Sequence, residues 1–266
     1  MKKHISFKGI GSAGLVLVAC FVLALLIFHY VLGNPANFLN NDPNNQPLPG
    51  NLLGTIYKGG VIVPVIQTLL LTVLVLSVER FFAIRKAKGR SALPQFIGQI
   101  KEYLNKGELG KAEELCDKQK GAVANVIRTA LRKYEQMEKD GSLTKEQKVA
   151  NIQAEVEQAT ALELPTLEQN LPVVATMTTL GTLMGLLGTV IGMIKSFAAL
   201  ANAGAPDSIA LSTGISEALV NTAFGIATGA LAVVSYNFFT SKIDAITYSI
   251  DEIGFTIVQT FSATHK

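Results

Sequence analysis

The chain has 266 residues, of which 49% are hydrophobic and 16% are charged, and its mean hydropathy is +0.36. This composition is too apolar for an ordinary soluble domain and excludes that class of protein. The formal net charge of +3 comes without basic clusters interleaved with aromatic residues, so it gives no argument for nucleic-acid binding.

Four apolar segments are long enough to cross a membrane. They run over Ala13 to Leu32, Val61 to Val78, Leu171 to Leu200 and Leu211 to Phe239. Basic residues precede the first segment and follow the second, as in Lys2, Lys3, Arg85 and Lys86, whereas the loop between them has only Lys58. The positive-inside bias therefore predicts a multi-pass membrane protein with both termini in the cytoplasm.

The first apolar segment also fits a second description, because a basic start followed by an apolar run is typical of a signal peptide. Its length of about 20 residues exceeds a typical signal core, which favours a retained helix and leaves cleavage as the alternative. The sequence Leu17-Val18-Ala19-Cys20 is similar to a lipoprotein cleavage box, but the apolar run continues past Cys20. The Asn- and Pro-rich residues that follow are predicted to form a polar linker outside the membrane.

The region between the second and third segments has helical periodicity interrupted at Gly107, Gly121 and Gly141. These breaks predict helices over about 91–106, 108–119, 122–139 and 144–168. The third carries a stripe of apolar residues, Val123, Ile127, Ala130, Leu131 and Tyr134, which favours a self-packed bundle over a docking surface. The fourth is expected to run on into the third membrane segment, with kinks at Pro165 and Pro172.

The predicted organisation follows from these segments. Residues 1–33 hold an N-terminal transmembrane helix, 34–60 a periplasmic linker, 61–84 a second transmembrane helix, 85–168 a cytoplasmic helical domain, 169–240 a transmembrane hairpin and 241–266 a cytoplasmic C-terminal helix. No nucleotide-binding loop, metal-ligand cluster or catalytic triad is recognisable in the sequence. We therefore expect an all-α integral membrane protein that is not an enzyme and carries no cofactor.

Hydroxyl groups and glycines follow one line along the third apolar segment. At about 100° per residue, Thr178, Thr182, Gly185, Thr189, Gly192 and Ser196 fall within about 40° of one line along the helix. The same spacing on the fourth segment groups Thr222, Gly225, Gly229 and Tyr236. Thr189 and Thr222 are equally far from the outer ends of their segments, which places both at a depth of about 16 Å. The sequence thus predicts two threonine hydroxyls at one level of a polar, pore-lining wall.

Two ionisable residues, Lys195 and Glu217, lie roughly 8 to 9 Å below the outer ends of the same segments. Their equal depth predicts a structural salt bridge, either within the hairpin or between subunits; the alternative has Lys195 reaching outward and Glu217 facing water. Glu217 also begins a second polar stripe. For this stripe, interhelical hydrogen bonding is favoured over ion conduction. Its further members are Asn221, Thr228 and Ser235.

Glycines repeat along both segments and predict close helix packing, because small residues allow helix backbones to approach. They are Gly181, Gly185, Gly188, Gly192, Gly225 and Gly229. Threonine hydroxyls do not ionise at physiological pH, so they cannot relay protons without Asp, Glu or His. No carboxylate of this chain lies at the depth of Thr189 and Thr222. A proton path there needs an acid from another polypeptide.

The two motifs Gly185-Leu-Leu-Gly-Thr-Val-Ile-Gly-Met-Ile-Lys-Ser-Phe197 and Gly214-Ile-Ser-Glu-Ala-Leu-Val-Asn-Thr-Ala-Phe-Gly-Ile226 closely resemble the signature hairpin of the MotA/TolQ/ExbB proton-channel family. Glu79-Arg80 and the residues from Glu163 to Ala175 extend the resemblance over about residues 61–237. Threonine at positions 189 and 222, where flagellar MotA proteins have proline, makes the chain most similar to the ExbB branch.

The resemblance implies a homopentamer in the bacterial inner membrane, whose last two helices line a pore around a dimer of single-span ExbD-like helices. The ExbD aspartate would carry the proton beside Thr189 and Thr222, and Glu217 matches the family's functionally important glutamate. The coupling ion would be the proton, with no cofactor. The proton motive force would energise a TonB-like protein for transport through the outer membrane.

Two features depart from the family pattern. The N-terminal span is additional, and Lys195 occupies a position that is commonly uncharged, which is expected to make the outer pore mouth more basic. Within the family, a TolQ-like or gliding-type motor subunit is the alternative function. From a different class, the alternative is a membrane scaffold that assembles partners without conducting.

Overall fold

The computed structural model describes residues 8–201 and 208–264, with side chains from residue 13 onward. The described residues form helices joined by turns. In chain order the α-helices are α1 (Lys8–Leu26, continued by π-helix Ile27–Leu32), α2 (Leu52–Tyr57), α3 (Ile62–Lys88), α4 (Leu93–Asn105), α5 (Leu109–Gln119), α6 (Ala122–Lys139), α7 (Lys145–Glu168), α8 (Leu171–Ala201) and α9 (Ser208–Thr264). Two short 3-10 helices, Pro35–Asn37 and Leu39–Asn41, lie between the π-helix and α2. Lys2, Lys3, the end of the chain at 265–266 and most of the loop between the last two predicted spans lie outside the described residues.

Four helical segments of the described chain are long and apolar enough to cross a membrane. They contain the four apolar segments predicted from the sequence, so the chain has the helices of a multi-pass membrane protein. The chain divides into two compact units. The span unit comprises the described residues of Met1–Val78 and Asn170–Asn237, and the bundle unit comprises those of Glu79–Gln169 and Phe238–Lys266.

The segment over 34–60, which its composition predicts as a polar linker, is folded against the end of the first span. Phe38 is 1% exposed, and the Tyr57 ring stacks on the Phe28 ring with centroids 4.7 Å apart. The Asn37 side chain donates hydrogen bonds to the carbonyls of Val31 and Leu32, which end the π-helix, at 2.8 and 3.0 Å. Aromatic packing and carbonyl capping therefore fold this segment onto the end of the first span.

The bundle unit follows the predicted helices to within two residues at each end. Successive helices from α4 to α7 contact one another. The apolar stripe predicted on α6 is buried, with each of its five residues at most 5% exposed. The Tyr134 ring at its end packs edge-on against the Phe261 ring of α9 at 4.8 Å. The stripe thus forms a core within the unit, as the self-packed interpretation expects.

Two helix boundaries differ from the sequence predictions. Helix α7 ends at Glu168 and does not run on into α8, because Asn170 adopts a left-handed conformation with φ of 66°. Pro165 lies inside α7. Conversely, the C-terminal segment predicted over 241–266 is not a separate helix: α9 continues without a break from Ser208 to Thr264.

Cys116 is buried in the bundle unit, and this burial raises the pKa of its thiol to about 12. Because the thiolate is the reactive form, we expect Cys116 in a Cys20→Ala variant to resist N-ethylmaleimide at pH 8 until the protein is unfolded. The folded state holds the thiol proton more tightly than the unfolded chain, so this group's contribution to stability is lost as pH rises from about 9 to about 12. Mass spectrometry of the labelled chain checks the prediction. Complete labelling of the folded protein at pH 8 would contradict it.

Candidate functional site

Helices α8 and α9 pack against each other in antiparallel orientation through their glycines. A Cβ atom placed on Gly225 would lie 2.6 Å from both the carbonyl oxygen of Gly181 and the Cα of Gly185. Nearer the end of the hairpin at Ala201 and Ser208, a Cβ on Gly192 would lie 2.7 Å from the carbonyl oxygen of Gly214. Gly188 faces the Asn221 side chain at similarly close range. A side chain at any of these positions would force the helices apart.

The hydroxyls of Thr189 and Thr222 are in direct contact across this hairpin. Each Oγ1 also lies 3.2 Å from a carbonyl of its own helix, Gly185 for Thr189 and Ala218 for Thr222. Both threonines are half-buried. The pair has two hydroxyl protons and several acceptor lone pairs, so it has capacity left for a hydrogen bond with a third group.

The other hydroxyl residues of the predicted line have different surroundings. Thr182 is exposed and its hydroxyl donates to the Thr178 carbonyl at 3.2 Å, while Tyr236 is half-buried farther along α9. Ser196 is 1% exposed, and its hydroxyl lies 3.1 Å from the Gly192 carbonyl and 3.2 Å from the Leu211 carbonyl. Ser196 is therefore enclosed within the hairpin of this chain, because the glycines bring the two backbones together there.

Lys195 and Glu217 form an ion pair within the hairpin, with 2.7 Å between Lys195 Nζ and Glu217 Oε1. The side chain of Glu217 is 6% exposed and that of Lys195 is 51% exposed. Gly60, which has a φ of 76°, sits against the Glu217 carboxylate so closely that a Cβ atom there would collide with Oε1. The turn before α3 therefore covers the carboxylate, while the lysine reaches the surface of the chain.

Asn221 is fully buried, and its side-chain Nδ2 donates to the Gly59 carbonyl at 2.8 Å. The sequence grouped Asn221 with interhelical hydrogen bonding, but its partner belongs to the turn before α3. A second contact of the same kind joins Gln46 Nε2 to Thr213 Oγ1 at 2.8 Å. Sequence reasoning did not assign a role to Gly59 and Gly60. The glycine pair itself is a turn signal, but the contact spans more than 150 residues and leaves no local pattern.

The arrangement can offer hydrogen bonds at one level of the hairpin, and it lacks an ionisable group there. Glu217 is the only carboxylate within the last two apolar segments of the sequence, and the Lys195 ammonium group already occupies it. Among residues 8–201 and 208–264, no group of three His, Cys, Asp or Glu side chains is placed to hold a metal ion. The threonine pair can therefore assist a proton carrier but cannot replace one.

Comparison with known proteins gives a family match. The model of the MotA/TolQ/ExbB proton channel family matches residues 118–252, just over half of the chain. An ExbB homolog of Methanothermobacter thermautotrophicus is 28% identical over 196 residues, which cover 73% of this chain and 65% of that relative. TolQ of Pseudomonas aeruginosa is 26% identical over 185 residues, 67% of this chain and 79% of TolQ. Biopolymer transport protein ExbB of Pseudomonas putida is 26% identical over 55% of this chain and 44% of its own length.

Proposed function

Because the chain belongs to the MotA/TolQ/ExbB proton channel family, we propose that it is the channel subunit of an inner-membrane motor that uses the proton motive force to energise a TonB-like protein. Its family and its relatives named ExbB and TolQ support an energising subunit of the proton-channel type. The finer assignment, which includes an ExbD-like partner and outer-membrane transport, is our proposal.

The observation that carries the proposal is the contact between the hydroxyls of Thr189 and Thr222. They meet at one level of an apolar hairpin, where a membrane protein would otherwise place aliphatic side chains. Hydroxyls can hold a protonated carboxyl by hydrogen bonds, and a carboxyl is the group that this chain does not supply there. We infer that the carboxyl comes from a single-span partner of the ExbD type, which lies as a dimer inside a homopentamer of this chain.

The orientation of the chain follows from its charges. Lys2, Lys3, Arg85 and Lys86 flank the first two spans on one side, which the positive-inside bias assigns to the cytoplasm. Both termini and the bundle unit are then cytoplasmic, and the segment over 34–60 is periplasmic. The proton is the proposed coupling ion, because sodium needs more oxygen ligands than two hydroxyls per subunit provide.

Replacing either threonine by valine tests the function, since valine keeps the shape and removes the hydroxyl. We expect Thr189→Val and Thr222→Val to lower proton flux at least about tenfold, because a hydrogen bond to a charged or ionising group contributes about 1.5–3 kcal/mol. Flux is measured in proteoliposomes that contain the chain with its co-purified partners. Thr176→Val is the matched control, because Thr176 is exposed on the same helix and its hydroxyl bonds only the Pro172 carbonyl of its own helix.

Native mass spectrometry of each variant complex accompanies the flux assay, so that loss of assembly is not mistaken for loss of conduction. Unchanged flux in both assembled valine variants would reject the conducting role and favour the non-conducting scaffold. The same spectra identify the partners. An ExbD-like protein and a TonB-like protein support the proposal, whereas Tol-type or gliding-type partners would replace it with the alternative that the similarity to TolQ favours.

A further inference from the structure

A notch with a volume of about 290 Å³ lies in the bundle unit, where the end of α3 meets α9. Phe81, Phe238 and Phe239 supply an aromatic wall. Three basic residues surround this wall: Arg85, Lys88 and Lys242. The lining of the notch thus combines aromatic and basic side chains, and the sequence motifs of the family hairpin do not include it.

None of the three cations has an acidic partner among the described residues. In the described ranges 8–201 and 208–264, no carboxylate lies within 4.0 Å of Arg85, Lys88 or Lys242, although nine other basic residues of the bundle unit pair with Asp or Glu. The Lys242 ammonium instead lies 5.5 Å from the centre of the Phe238 ring. Three positive charges around one small apolar notch favour an anionic ligand.

The chain around the notch has the composition of a membrane boundary. The apolar run of α3 ends at Val78, and Phe81 precedes Arg85 by one helical turn. On α9 the same change occurs between Phe238 and Lys242. Aromatic residues followed by basic residues are typical of the level at which a span enters the lipid head groups on the cytoplasmic side. A ligand in this notch would meet acyl chains on one side and water on the other.

We propose that the notch binds an anionic phospholipid of the cytoplasmic leaflet. The phosphate lies among Arg85, Lys88 and Lys242, and the first part of an acyl chain packs against Phe81 and Phe238. Basic pockets between transmembrane helices on this side of a membrane bind anionic head groups in this manner. A soluble phosphate would leave the aromatic wall uncovered, and a zwitterionic head group would bring a cation toward three others. The notch is too small for a whole lipid, so only the head group and the start of a chain are held.

The test compares two triple variants of the full-length chain in detergent. Arg85→Gln, Lys88→Gln and Lys242→Gln together remove the charges of the notch, and Lys106→Gln, Lys118→Gln and Lys139→Gln remove three exposed charges elsewhere in the bundle unit. Native mass spectrometry counts bound phosphatidylglycerol during titration. At about 1 kcal/mol per basic residue near an anionic lipid surface, we expect affinity to fall about 100-fold in the notch variant and to stay unchanged in the control.

Phosphatidylcholine and inorganic phosphate serve as comparison ligands. Phosphatidylglycerol is expected to raise the midpoint temperature of thermal unfolding, and we expect neither comparison ligand to do so. Wild-type affinity in the notch variant, equal loss in the control variant, or an equal midpoint shift with phosphatidylcholine or inorganic phosphate would each overturn the proposal. Lys242→Gln alone is the second variant if the triple variant does not fold. We expect it to weaken phosphatidylglycerol binding about fivefold, and an unchanged affinity would also count against the site.

Discussion

A Gly225→Leu variant is expected to yield almost no folded protein, because the space that a side chain would need is occupied by the backbone of α8. A Cβ atom on Gly225 would lie 2.6 Å from the Gly181 carbonyl oxygen and from the Gly185 Cα, and 2.9 Å from the Gly185 nitrogen. None of these atoms can rotate away as a flexible side chain could. The whole of α8 must move, which would also separate Thr189 from Thr222.

Overpacking a tight interior typically lowers the free energy of unfolding by about 1–3 kcal/mol. We expect Gly225→Leu to exceed this range because its side chain would meet backbone atoms. Such a cost is a large part of the total stability of a typical protein, about 5–15 kcal/mol. Gly225→Ala is expected to be intermediate. Ala227→Leu is the matched control, because Ala227 is exposed on the same helix and gains the same side chain. Size-exclusion chromatography in detergent measures the monodisperse fraction. Equal recovery of Gly225→Leu and Ala227→Leu would show that the glycine contact is not required.

Lys195→Met is expected to destabilise the chain more than Glu217→Gln, although both substitutions break the same ion pair. Removing Lys195 leaves the carboxylate of Glu217, which is 6% exposed, without its counter-charge, at a cost on the order of 3 kcal/mol. Removing the charge of Glu217 costs about 1 kcal/mol, because the half-exposed Lys195 still reaches water and the new amide still accepts a hydrogen bond.

The double variant distinguishes coupling from two independent effects. We expect Lys195→Met with Glu217→Gln to be more stable than Lys195→Met alone, since the second change removes the stranded charge. Unfolding free energies measured in mixed detergent micelles give the coupling term. Lys101→Met is the control at an exposed ion pair with Glu252 and should cost at most about 1 kcal/mol. Additive effects of the two hairpin substitutions would contradict the predicted coupling.

Much of the fold was predictable because its determinants are local. Glycine breaks and helical periodicity placed α4 to α6 and the start of α7 to within two residues, since α4 to α6 each carry an apolar stripe and end where glycine interrupts them. Counting residues along two antiparallel segments was enough to bring Thr189 to the level of Thr222 and Lys195 to that of Glu217. Helical rise is constant, so depth in a hairpin is a property that sequence spacing determines.

The parts that were missed depend on contacts between distant residues. The composition of 34–60 predicts a polar linker, and the contacts of Tyr57 with Phe28 and Phe38 that make it compact are not visible in that composition. The position of Asn221 in its helix predicts a hydrogen bond to a neighbouring helix, whereas its side chain donates to the carbonyl of Gly59 in a distant turn. The break between α7 and α8 depends on the left-handed backbone conformation of Asn170. Asparagine adopts this conformation more readily than most residues, but the presence of an asparagine does not by itself predict it.

The ion pair between Lys195 and Glu217 also determines how its end of the hairpin interacts with ions at a distance. Lys195 by itself would surround the entrance with positive potential, which is the reason the sequence suggested a basic mouth. Glu217 cancels this monopole at 2.7 Å and leaves a short dipole, whose potential decays faster with distance. Beyond the Debye length of about 8 Å in physiological salt, little of that field remains. In the proposed channel, an approaching proton therefore meets little electrostatic repulsion from this pair until it comes within that distance.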